Sequence, residues 1–120
     1  MLTLSEMRRR HTKTHLYVLR VQDEGGFGPF SNCSIFLMCS KKHPGANEDG
    51  ISANFEGLYG CKNSRQLQHW FGPFWDRLRG QYICLYKVPR EKVCVGKTQV
   101  LFDREAAELV KKAAVSELIA

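Results

Sequence analysis

Residues 81–102 read Gln81-Tyr82-Ile83-Cys84-Leu85-Tyr86-Lys87-Val88-Pro89-Arg90-Glu91-Lys92-Val93-Cys94-Val95-Gly96-Lys97-Thr98-Gln99-Val100-Leu101-Phe102. Residues 81–88 are dense in Tyr, Ile, Leu and Val, types that fit a pleated, half-buried surface, and they predict a strand. Pro89 ends it, because proline has no N–H for a ladder. A short extended piece follows at 92–95, Gly96 turns the chain, and 98–102 predicts another strand. Connections this short join antiparallel neighbours, whereas parallel strands need a crossover of a dozen residues or more. Gly96-Lys97-Thr98 looks like the end of a phosphate-binding P-loop. That motif needs a glycine where Glu91 stands and a helix where a strand follows, so the segment reads as a β-turn with a surface lysine.

Outward from this core, His15 to Gln22 predicts a first strand with apolar residues on both faces, hence a covered one. Asn54 to Cys61 predicts a short strand interrupted by Gly57 and Gly60. Asn63 with Gln66 three places on has capping-box spacing and opens a helix carrying Leu67, Trp70, Phe71, Phe74 and Trp75. Pro73 kinks or splits that helix, and its aromatics are expected to pack on the sheet. Asp103 is expected to cap a last helix over 104–118, with a narrow stripe of Ala106, Leu109, Val110, Ala113 and Glu117. Residues 33–40 form an apolar run, helix or strand, which periodicity at that length does not separate. Residues 41–53 form the clearest loop. The expected architecture is α+β: a mostly antiparallel, twisted sheet of four to six short strands, packed against an interrupted Trp-rich helix and a C-terminal helix.

The 120 residues suit one domain, 15–120, preceded by a basic arm over 1–14 that carries Arg8, Arg9, Arg10 and Lys13. The arm is expected to be solvated, and Met7 is an alternative start. An apolar share of 43% and a charged share of 25% are those of an ordinary globular protein. No run reaches the ~20 apolar residues of a membrane span, and no apolar stretch follows the N-terminal charges as a signal peptide requires. The expected location is the cytoplasm. Five cysteines, odd in number and set inside apolar runs, read as reduced, buried thiols. A net charge of +6 excludes a DNA mimic and suits an acidic or phosphate-bearing partner.

No complete catalytic signature is present. Gly26-x-Gly28-x-x-Ser31 lacks the last glycine of a dinucleotide fingerprint, and Pro29-Phe30 stands where a crossover helix would open. His11 and His15 are four apart without a Cys-x-x-Cys pair to complete a metal site. The acids outside turns and helix ends reduce to Glu56, Glu91 and Glu105. The segment 25–30 packs three glycines, a proline and two aromatics into six residues, which marks a shaped surface. The candidate binding residues are Arg20, Gly26, Phe27, Gly28 and Phe30, with Arg8, Arg9 and Arg10 on the arm.

Several pieces together resemble a set of small accessory proteins of phages and prophages: Tyr17 to Val21, Gly26 to Phe30, Tyr59 to Ser64 with Gln66-Leu67 and Trp70-Phe71, Val88-Pro89, and Val95 to Asp103. The match covers about three-quarters of the chain and implies a protein of a mobile element. A weaker resemblance is to ADP-ribosyltransferase-like domains. It implies that Arg20 helps bind NAD, that Tyr59 or Ser64 organises the nicotinamide site, and that Gln99 stands where such enzymes carry a glutamate. Glutamine hydrogen-bonds a ribose hydroxyl but supplies no negative charge to a cationic transition state.

Three functions follow as expectations. The first is a phage-type accessory protein that binds and blocks a host protein or ribonucleoprotein, in the manner of an inhibitor of a CRISPR effector, without a cofactor. The second is an NAD-dependent, ADP-ribosyltransferase-like enzyme using Arg20, Tyr59, Ser64 and Gln99. The third is a nucleic-acid binder using the basic arm, whose affinity would fall as salt rises.

Overall fold

The computed structural model describes residues 2–3, 7, 9–26, 28, 50–51 and 57–119. Segment 33–40, the loop after it apart from Gly50 and Ile51, Phe27, Phe30 and Glu56 lie outside the described residues.

Strand β1 (Leu2–Thr3) is followed by β2 (His15–Gln22) and β3 (Leu58–Gly60). Helix α1 (Ser64–Phe71) runs directly into a 3₁₀ helix over Gly72–Leu78. Then come β4 (Tyr82–Pro89), a 3₁₀ turn over Arg90–Lys92, β5 (Val93–Val95), β6 (Val100–Phe102), β7 (Glu108–Ala114), a turn over Val115–Glu117 and β8 (Leu118–Ile119). Two three-stranded antiparallel sheets, ordered β2-β4-β7 and β3-β6-β5, carry the fold, and a short parallel ladder pairs β1 with β8. The class is α+β and sheet-dominated, as the short connections predict.

The two sheets are stitched by one bridge on the free edge of β2. Leu19 and Cys61 exchange both backbone bonds, at 2.8 and 2.7 Å. Strand β4 pairs with β2 in register, Leu19 opposite Leu85, so alternate residues face opposite cores. Leu19, Val21, Ile83 and Leu85 face a core built with Met7, Leu67, Trp70, Phe71 and Leu78. Val18, Cys84, Tyr86 and Val88 face Val100 and Phe102 of the second sheet, with the Tyr86 and Phe102 rings 5.4 Å apart. Burial on both sides is why β2 and β4 read as near-continuous apolar runs.

Local chemistry explains the helical segment. Asn63 Oδ1 accepts from the Gln66 N–H at 2.8 Å, the expected N-cap. Gln66 Oε1 reaches back one residue further than a standard capping box, to the Lys62 N–H, and its Nε2 donates to the Lys97 carbonyl. Pro73 stands at the start of the 3₁₀ stretch and splits the helix. Trp70 and Phe71 are core residues, and the Trp70 indole N–H donates to Thr98.

Two expectations are corrected. Residues 104–118 are not a helix: β7 pairs antiparallel with β4, Ile83 opposite Ala113. The second edge of the doubly covered β4 needs a backbone partner, and that demand overrides the helix propensity of an Ala- and Lys-rich segment. Asp103 does bond backbone, but Oδ1 accepts from Glu105 N–H two residues on. That is an Asx turn, closed by the Ala107 N–H to the Arg104 carbonyl, and it leads into a strand. Nor is the N-terminal segment wholly a solvated tail. Met7 is fully buried in the core. His11 Nδ1 accepts the outward-pointing Tyr17 N–H of β2 at 3.0 Å, and Arg90 donates to the Thr12 carbonyl.

The glycines in β3 are steric necessities. A Cβ on Gly57 would run into the Phe102 carbonyl, and one on Gly60 would run into Val18 while standing 3.0 Å from the Leu19 carbonyl. Gly72 has helical φ and ψ, and a Cβ there meets only ordinary contact with Gln68. We expect Gly60→Ala to cost ~2–3 kcal/mol by overpacking. Gly72→Ala should cost less than that, because its Cβ is opposed by the following Pro73 ring and not by sheet backbone. Urea unfolding of both variants checks this, and equal effects of the two would contradict the packing described.

Candidate functional site: a cavity capped by a buried arginine

Beyond the Leu19–Cys61 bridge, β2 and β3 part, and a cavity of about 180 Å³ opens between them. Its wall includes Arg20 and Val21 from β2, Gly28, the β3 residues Leu58, Tyr59 and Gly60, Trp70 and Phe71 from α1, and Gln99 from the β5–β6 turn. The volume is about six times the ~30 Å³ liquid share of a water molecule. It suits one side chain or a small ligand.

Arg20 is the cation of this site, and it is only 7% exposed. Its Nη1 donates to the Tyr59 carbonyl at 2.6 Å, its Nη2 to the Gly26 carbonyl at 3.3 Å, and its Nε to Gln22 Oε1 at 3.2 Å. Gln22 Oε1 also accepts from the Tyr86 hydroxyl at 3.0 Å. Burial pushes the guanidinium pKa down from its usual value, with Tyr86 the leading opposing influence. Arginine nonetheless stays protonated near neutral pH. The three oxygens that accept hydrogen bonds from Arg20 are neutral. A second arginine stands nearby: a Cβ placed on Gly26 would lie 3.3 Å from Arg104 Nη2, and one on Gly28 3.2 Å from Arg20 Nη2. At both positions backbone lies close against guanidinium, and Gly26 also takes the positive φ that favours glycine.

The structure thus brings Arg20, Tyr59, Gln99 and Gly28 to one cavity and places Gly26 against Arg20. Ser64 opens α1 and is not on the wall. Arg9 and Arg10 belong to a different concavity, and Arg8 lies outside the described residues. No carboxylate is among the described wall residues, and Glu91 and Glu105 are exposed in turns and not on that wall. No cluster of three metal-ligating side chains occurs among the described residues, and none of their helices is long and apolar enough to cross a membrane. Sequence reading missed Gln22, Tyr86 and Arg104. The available signal was the two-residue alternation that puts Gln22 on the same face as Arg20.

Cys61 is on the wall, and burial pushes its thiol up to about 12. Cys61, Cys84 and Cys94 are free thiols. At pH 8 the thiolate share of Cys61 should be about a thousandfold below that of an ordinary cysteine, whose pKa is ~8.5. Site-resolved mass spectrometry after treatment with a thiol reagent should find Cys61 unlabelled in the folded protein and labelled after unfolding. Labelling as fast as at the half-buried Cys94 would contradict the site.

Residues 7–116 match the model of one protein family, described as the bacteriophage T4 Y00F protein. No curated protein and no solved structure matches the chain.

Proposed function

The chain belongs to the bacteriophage T4 Y00F protein family, and from that premise we propose that this phage accessory protein acts by binding and blocking a host protein or ribonucleoprotein. A component of an antiviral system such as a CRISPR effector is the target class. The observation that carries the reading is the cavity itself: a preformed, largely apolar hollow with the Arg20 guanidinium at one end and no carboxylate among its described wall residues. Such a site grips a compact group with a negative or strongly accepting tip, for example an acidic side chain inserted by the partner. The exposed Tyr59 at the rim, 41% accessible, adds an aromatic contact of the kind that anchors interfaces.

The transferase reading stands second. Arg20, Tyr59 and Gln99 do share the cavity, which is the arrangement that reading requires. Against it, Arg20 is already engaged by two carbonyls and an amide, and the described wall residues offer no negative charge to a developing oxocarbenium ion.

The deciding experiment is affinity capture from host lysate with identification by mass spectrometry. We expect one host protein or complex to be retained specifically, and at least tenfold less of it with Tyr59→Ala. Retention that this variant leaves unchanged would overturn the role of this face. Transfer of labelled ADP-ribose, abolished by Arg20→Ala, would replace the binding reading with the enzymatic one.

A further inference from the structure

A second concavity lies where the N-terminal segment crosses β2 and meets the start of α1. Its volume is about 500 Å³, within the range of small-ligand sites. Its wall comprises Arg9, Arg10, His11, Tyr17, Leu19, Lys62, Asn63 and Leu85.

Three cations therefore converge on one hollow, with no acid among its described wall residues. Among the described residues, none of the three is in an ion pair. Arg90 adds a fourth positive charge nearby: it acts on His11 electrostatically, as Lys62 does, and its Nε is tied to the Thr12 carbonyl. Like charges drawn together repel, and an anion with more than one charge relieves that repulsion. The back of the hollow is of a different character. Leu19 and Leu85 lie behind it almost fully buried in the core, and the half-buried Tyr17 supplies its accessible aromatic surface. At the rim, the Asn63 carbonyl oxygen is taken by the Gln66 N–H, which leaves the amide NH₂ to donate.

His11 does not supply the proton chemistry of this site. Its Nδ1 accepts a backbone N–H and so must be unprotonated, and burial, with Arg90 and Lys62, holds its pKa below the usual 6.5. The ring is a fixed, neutral wall that pins the arginine-bearing segment over the hollow.

A cationic rim beside an accessible aromatic ring matches a ligand with a charged end and a flat apolar end. We infer that this hollow is a nucleoside phosphate site: Arg9, Arg10 and Lys62 take the phosphates, and the Tyr17 ring takes the base. Arginine suits phosphate because its planar fork donates two parallel bonds, and an aromatic face contributes ~1–3 kcal/mol to holding a base. This site is separate from the Arg20 end of the first cavity and does not depend on the host-binding proposal.

The test is titration calorimetry of the full chain with ADP at low salt, with inorganic phosphate and a short single-stranded DNA as separate arms. We expect ADP to bind, and to bind at least tenfold more tightly than inorganic phosphate. Arg10→Gln and Lys62→Gln should each weaken ADP at least tenfold with an unchanged thermal midpoint, while Tyr59→Ala leaves ADP binding unaltered. Amide shifts at Tyr17, Leu19 and Lys62 on ADP addition give an independent readout that needs no variant. No ADP binding at millimolar concentration would overturn the inference. So would phosphate binding as tightly as ADP, or DNA binding when ADP does not.

Discussion

The Arg20 guanidinium, buried against the carbonyls of Tyr59 and Gly26 and the amide oxygen of Gln22, is the interaction on which the functional face depends. It ties β2 to the glycine loop that follows it and to the distant β3. Taking an ion out of water costs several kcal/mol even after relaxation. Three hydrogen bonds to a charged group return about 1.5–3 kcal/mol each. The two sides are comparable, so the arrangement gains the fold little. Its product is a positive charge fixed at the mouth of an otherwise apolar hollow, with neutral partners that do not cancel it. A carboxylate in place of any of those oxygens would have made a structural ion pair instead of a site.

Two cavities emerge from the same strand edge. In β2 the odd-numbered N–H and C=O groups point away from β4. Tyr17 finds the His11 ring and Leu19 finds Cys61. Each of these connections closes one hollow and opens the next: His11 holds the basic segment over the second cavity, and Cys61 marks where β3 leaves β2 to form the first. Edge strands are commonly blunted by charges or covering loops. Here the covering elements also create concave, positively charged surfaces. A small phage accessory protein with two such surfaces is equipped to grip partners, and the net charge of +6 directs both toward anionic groups.

Much of the framework was legible in the residues. Strand β2 matches its expected span, β4 ends at Pro89 as the missing N–H requires, and Asn63 caps α1 through the Gln66 N–H. Those features rest on local chemistry: alternation, a missing donor, a side-chain oxygen. What failed rests on tertiary demand. Residues 108–114 contain good helix formers, yet the open edge of β4 recruits them as a strand. Asp103 bonds the backbone ahead of it in either structure, so its presence does not distinguish a helix from an Asx turn. Met7 and His11 looked like parts of a charged tail because arginines surround them in sequence, and only packing shows their apolar and neutral roles. Of the first cavity, Arg20, Tyr59, Gln99 and Gly28 were identifiable as residue types. That they meet was not, because the parting of β2 and β3 depends on the glycine contacts of Gly57 and Gly60 with Phe102 and Val18.

The most direct measurement is nitrogen-resolved NMR of the arginine side chains, titrated with formate as the smallest carboxylate. A guanidinium that is buried, charged and unneutralised predicts an Arg20 Nε–H that exchanges slowly with water near neutral pH. That resonance should shift selectively with formate, together with the backbone signals of Tyr59 and Gly28. An Arg20 that exchanges as fast as the exposed Arg9 and Arg10, or that ignores formate while those two respond, would contradict a gripping site at this end of the cavity.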